Sequence, residues 1–178
     1  MRGSAAWVAV TLLTACAAGA GDTDRADGAV GAAVSVTAPE AAEANARVVR
    51  VVDGDTIVAS IAGRDVRVRL IGIDTPESVK PESPAECFGV DASSFTKSLL
   101  PDGTRVRIER DVEARDDYDR LLGYVYRAAD GMFVNLEIVR SGYASVLTYP
   151  PNVAHAREFV GAAREAEAAS RGLWSACR

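Results

Sequence analysis

Between Arg47 and Ile71 the chain spells three strand-length segments with only two turns between them. Val48, Val49, Val51 and Val52 form a β-branched run, Asp53-Gly54-Asp55 is a turn signal, and Thr56 to Ile61 is strand-like again. Ala62-Gly63 turns the chain a second time, and Val66, Val68 and Leu70 then alternate with Arg67, Arg69 and Ile71. Turns this short leave room only for antiparallel neighbours, so the three segments must pair in hairpin order.

The rest of the chain completes the pattern. Gly89 to Leu100 spaces Val90, Ala92, Phe95, Leu99 and Leu100 near helical intervals, and Pro101-Asp102-Gly103 stops it. Arg105 to Glu109 and Leu121 to Arg127 read as strands. Val134 to Ser141 reads as a short helix closed by Gly142. Asn152 is placed to cap a last helix with the stripe Val153, Ala156, Phe159, Val160 and Ala163, ending at Gly172. The order β-β-β-α-β-β-α-α predicts an α+β domain: a five-stranded OB-type β-barrel with three helices.

The domain occupies residues 46–178. Ahead of it, Ala5 to Leu13 is an apolar run too short to span a bilayer, which takes roughly 20 residues, but suited to a secretion signal. Leu13-Thr14-Ala15-Cys16 resembles a bacterial lipobox, so residues 1–16 read as a signal with Cys16 the lipidated residue. An ordinary signal cleaved between Ala15 and Ala20 is the alternative. Residues 17–45 are small, polar and weakly acidic, the composition of a disordered linker. Either reading places the domain outside the cytoplasm, secreted or held at the membrane through Cys16.

Composition narrows the chemistry. Twenty bases against 25 acids give a net charge of −5, which excludes a broadly cationic nucleic-acid coat. His155 is the single histidine, so two-histidine mechanisms are out. The cysteines at 16, 87 and 177 have no zinc-site spacing. With Cys16 removed or acylated, Cys87 and Cys177 remain, and outside the cell they are expected to form a disulfide; two separate thiols are the alternative.

Three segments concentrate acids and arginines: Asp53-Gly54-Asp55-Thr56, Arg69-Leu70-Ile71-Gly72-Ile73-Asp74-Thr75-Pro76-Glu77, and Asp116 to Tyr124 with Tyr118-Asp119-Arg120. Singly they are a hairpin turn, a proline turn and a surface loop. Together and in this order they resemble the staphylococcal nuclease (thermonuclease) family, over about residues 46–174. Val134-Asn135, Val139-Arg140 and Gly142 extend the resemblance.

The resemblance implies a role for each matching residue. Asp55 and Asp74 correspond to the carboxylates that bind calcium, and Thr75 to the residue offering a carbonyl. Glu77 corresponds to the acid that acts on the attacking water. Arg69 and Arg120 correspond to the arginines on the scissile phosphate. Tyr118 corresponds to a contact with a terminal phosphate, and Tyr149 falls where an aromatic packs on the nucleotide. The expected activity is calcium-dependent hydrolysis of DNA and RNA to 3′-phosphate products by a monomer. Elementary chemistry agrees: oxygen ligands suit a hard cation, and guanidinium forks match phosphate oxygens. With one histidine available, a carboxylate is the natural base.

Asp119 stands where the family often has Gly, and Asp117 where it often has Lys. The loop Ser78 to Glu86 carries only Lys80 as a base. These departures predict weaker, more salt-sensitive nucleic-acid binding. A catalytically degenerate binding module at the cell surface is the competing reading, and retention of Asp55, Arg69, Asp74, Glu77 and Arg120 speaks against it. A two-metal site with a Glu-x-Lys pair is not spelled here, since Glu77 and Lys80 are three apart.

Overall fold

The computed structural model describes residues 43–78 and 84–177. The leader, Cys16, nearly all of the linker and Lys80 lie outside these residues. β1 (Ala46–Asp53), β2 (Thr56–Ile61) and β3 (Arg64–Leu70) form the expected meander. A short β4 (Gly72–Asp74) precedes α1 (Gly89–Leu99), and β5 (Arg105–Glu109) and β6 (Leu121–Arg127) follow. Then come α2 (Val134–Arg140), β7 (Ser145–Leu147), α3 (Ala156–Ala168) and the single turn α4 (Leu173–Ala176).

Five strands close into a barrel in the order β1-β2-β3-β6-β5. Two long-range ladders complete the closure: antiparallel β1–β5 and parallel β3–β6, with Val68 beside Leu121. Inward positions carry Ile57, Ala59, Val68, Leu70, Val106 and Val125, all fully buried. The valine run of β1 does not alternate strictly. Val48 faces Ala59 and Arg50 faces Val58, so Val49 is an extra residue in a bulge. The bulge keeps Val48 and Val51 inside and turns Arg50 out to solvent.

Two buried side chains hold layers together. Asn135 of α2 accepts from Val125 N–H and donates to the carbonyls of Ile71 and Gly123. Thr96 of α1 donates its hydroxyl to the Gly54 carbonyl at 2.6 Å. Phe159 of α3 lies so close under Gly72 (φ +83°) that a Cβ there would stand 2.2 Å from its ring.

The C-terminal expectation needs correction. α3 starts at Ala156, after His155, and Asn152 does not cap it. The Asn152 amide instead pairs with the backbone of Glu113, accepting its N–H and donating to its carbonyl. Pro150 and Pro151 hold the preceding chain out of helical conformation. Val153 and Val160 are exposed, and the buried stripe of α3 is Phe159, Ala162 and Ala166. The short strands β4 and β7, which pair with each other, and the turn α4 were not foreseen.

Cys87, just before α1, is joined to Cys177, just after α4, across 90 residues. The bond ties the segment after α4 to the start of the first helix.

Candidate active site

The first turn and the strand opposite it build one half of the site. Gly54 lies against Thr75, where a Cβ would stand 2.6 Å from the Thr75 hydroxyl oxygen. Only glycine permits this approach, which brings Asp55 and Thr75 together. The buried Asp55 carboxylate accepts from the Thr75 N–H and hydroxyl at 3.0 Å each, and from the Thr56 hydroxyl at 3.1 Å.

Register sets the arginine. Thr56 pairs with Arg69 across β2–β3, so the guanidinium stands beside Asp55, with Nη1 3.2 Å from Oδ2. Nη1 also donates to the carbonyls of Leu70 and Ile73, and Nη2 donates to Asp74 Oδ1 at 3.0 Å. Asp74 ends β4, which β7 supports by pairing Asp74 with Ser145. Burial pushes the Asp74 carboxyl above its ordinary pKa, with the charges of Asp55 and Glu86 adding to the rise and Arg69 opposing it. Two carboxylates that repel each other across a single arginine form an all-oxygen donor set, the kind that suits a hard divalent cation. Among the described residues no cluster of three or more His, Cys, Asp or Glu adds further protein ligands. The remaining positions would fall to carbonyls, water and phosphate.

Glu77 is held beside Asp53. Its N–H donates to Glu86 Oε2, and its carboxyl is hydrogen-bonded to Asp53. Burial raises the Asp53 pKa, but bonds from Glu77, from the Ser78 hydroxyl and from the Gly54 N–H outweigh it and hold Asp53 low.

The second half comes from the loop before β6. Asp116 accepts the N–H groups of Tyr118 and Arg120 and, at 2.6 Å, the Arg120 Nε. Burial raises the Asp116 pKa, yet the Arg120 bonds and charge bring it below the ordinary carboxylate value. The Arg120 guanidinium lies 5.4 Å from the centre of the Tyr118 ring, which is 81% exposed. Asp119 sits between them at φ +59°, and Arg115 answers its charge at 3.0 Å. Tyr149, 75% exposed, follows β7. Arg69, Arg120, Tyr118 and Tyr149 line one open cleft of about 430 Å³.

The structure thus gathers Asp55, Arg69, Asp74 and Thr75 into one ionic cluster, with Tyr118, Arg120 and Tyr149 around the adjoining cleft. It sets Glu77 against Asp53. Sequence reasoning missed Asp116, the residue that holds Arg120, although it stands in the motif segment. It read Gly54 as a turn residue but missed its close approach to Thr75, and it missed Thr96, for which no local signal exists.

Comparison with known proteins agrees with this arrangement. The family model described as staphylococcal nuclease homologue matches residues 67–176. The thermonuclease of Staphylococcus intermedius is 45% identical over 125 residues, covering 70% of this chain and 73% of the relative. That of Staphylococcus hyicus is 38% identical over 129 residues, covering 72% and 75%. The endonuclease YncB of Bacillus subtilis is 38% identical over 128 residues, 71% of this chain and 59% of the relative. With barrel, paired carboxylates, arginine cleft and relatives in agreement, the chain belongs to the staphylococcal nuclease family.

Proposed function

We propose that this chain, a nuclease by family, is a calcium-dependent phosphodiesterase that cuts DNA and RNA to 3′-phosphate products outside the cytoplasm. The observation that carries the reading is Arg69, which contacts Asp55 and Asp74 at once. The phosphate fork and the cation carboxylates therefore converge on one point.

Asp55, Asp74 and the Thr75 carbonyl are the ligands in this reading. The bound cation supplies Lewis-acid polarisation of the phosphate. Arg69 and Arg120, which both line the cleft, hold the phosphate through planar donor pairs. Their grip strengthens as charge builds on the equatorial oxygens, and that difference between ground and transition state is what accelerates the reaction. The Glu77 carboxylate accepts the proton of the attacking water. Asp116 keeps Arg120 oriented between substrates. Tyr118 offers its phenol to a terminal phosphate, and Tyr149 offers a face to a base.

The localisation rests on residues 1–16, read as an export signal with Cys16 as the site of lipidation. The protein acts as a monomer, either released or anchored. Plasmid digestion in calcium, set against EDTA and against Glu77→Gln, tests the reading. Cleavage in calcium alone is expected, with Glu77→Gln slower by roughly 10²–10⁴-fold. Undiminished cleavage in EDTA would remove the cation, and undiminished turnover in Glu77→Gln would remove the base.

A further inference from the structure

The outer face of the β1–β2–β3 meander carries arginines that the site does not use. Strand alternation places Arg67 on the same face of β3 as Arg69, one two-residue repeat away, roughly 6.6 Å. Across the sheet, Arg67 pairs with Val58 and Val58 pairs with Arg50, so the three side chains stand in one row. Arg50 reaches that face only because of the bulge at Val49. The next row places Arg47 beside Ser60 and, on the other side, beside Arg105 of β5.

Arg50, Arg67 and Arg105 are exposed and form no ion pair among the described residues. Like charges directly opposite one another destabilise a sheet, and the Arg47–Arg105 pair accepts that cost. Val58, between Arg50 and Arg67, is 7% exposed yet stands apart from the central core. Long arginine stems lying over an apolar residue keep their charged heads at the surface. Asp65, beside Ser60, is the acid at the far end of this face. A domain with 18 bases against 20 acids over residues 46–178 thus concentrates unpaired cations on one surface that begins at the phosphate arginine.

We propose that this face binds the nucleic-acid strand beyond the cleavage point: Arg67 and Arg50 take the flanking phosphates, and Arg47 and Arg105 extend the path. The proposal rests on the nuclease reading. It adds a route for the polyanion, along β3 and across β2, away from Arg69. An anionic membrane surface is the rival partner for such a patch. The strand is favoured because the arginines continue, on the same strand face, a row whose first member holds a phosphate.

The test uses the folded domain with R50E/R67E and the milder R50Q/R67Q, each checked for an unchanged melting temperature. Cleavage of a dinucleotide is compared with cleavage of a long single-stranded oligonucleotide across a salt series. Binding of the same oligonucleotide is followed by fluorescence anisotropy under EDTA. The expected result is unchanged dinucleotide cleavage, with oligonucleotide kcat/KM and affinity down about tenfold at low salt. The slope of log affinity against log salt should flatten by about 1.4, or 0.7 for each lost phosphate contact on a single strand.

Equal loss on both substrates would overturn the proposal, because the arginines would then act through Arg69. An unchanged oligonucleotide affinity and salt slope would also overturn it. So would loss of binding to phosphatidylglycerol vesicles without loss of oligonucleotide binding, which assigns the face to lipid. If the wild-type domain cleaves nothing yet the variants lose oligonucleotide binding, the nuclease reading fails and this binding face stands.

Discussion

Replacing Asn135 with alanine tests how the helices hold the barrel and the site together. The side chain is completely buried. Its Oδ1 accepts the Val125 N–H at 2.9 Å, and its Nδ2 donates to the Ile71 carbonyl at 3.0 Å and the Gly123 carbonyl at 3.3 Å. Gly123 keeps a second donor in the Ile71 N–H. The Val125 N–H and the Ile71 carbonyl are the groups left short. Each buried group that loses its partner costs about 1–3 kcal/mol, and the vacated amide volume adds to that. Asn135→Ala should therefore destabilise by about 3–5 kcal/mol. That is a large share of the roughly 5–15 kcal/mol that holds a domain folded. Urea unfolding followed by tryptophan fluorescence and circular dichroism measures it. A loss below about 1 kcal/mol with an unchanged m-value would refute the reasoning, since the orphaned groups would then have found other partners.

Three further perturbations follow from the geometry. Asp119→Gly relieves a left-handed residue, worth about 1 kcal/mol, and gives up an exposed pair with Arg115 worth about as little; stability should stay within about 1 kcal/mol while nucleotide affinity rises several-fold. Calorimetric titration with a nucleoside bisphosphate checks this, and unchanged or weaker binding would contradict it. Reducing the Cys87–Cys177 bond should lower stability by up to roughly 4–5 kcal/mol, for a separation of 90 residues, and spare activity at low temperature; an unaltered melting temperature after verified reduction would count against it. The Asp116 pKa is lowered in the fold, so its contribution to stability is present above the ordinary carboxylate value of about 4 and fades as pH falls through the lower folded value. The stability gap between wild type and Asp116→Asn, measured down an acid series, should shrink below that point; a gap that widens in acid would reverse the assignment.

The barrel strands were legible because their signal is local: period-two alternation, β-branched residues and short turns. β5 and β6 fall where Arg105 to Glu109 and Leu121 to Arg127 predict them. The valine run hid its bulge, since four valines look alike from either face and only pairing with β2 reveals the extra residue. The start of α3 was misread because Asn152 is a good cap by type, while its amide is taken by Glu113, 39 residues away. The candidate site was legible as motifs and not as mechanics. Asp55, Arg69 and Asp74 stand out only through the combined motifs that resemble the family, since each motif alone reads as a turn or a strand face. That Thr96 supports the Gly54 carbonyl, or that Asp116 grips Arg120, depends on where distant or neighbouring side chains turn, which spacing does not encode.

The order of the strands along the chain also sets how much of it the candidate site needs. Asp55, Arg69, Asp74 and Thr75 are all made before α1, within a meander that pairs locally. Tyr118 and Arg120 come later, and β6, the parallel partner of β3, later still. The strand that supports Asp74 from below is β7, 71 residues downstream. A nascent or prematurely terminated chain ending before residue 118 carries the carboxylate half of the site on an unclosed sheet and none of the tyrosine–arginine half. A chain that ends before β7 therefore lacks both the strand that pairs with Asp74 and the tyrosine that follows it, so the candidate site is complete only in the full barrel with its C-terminal strand.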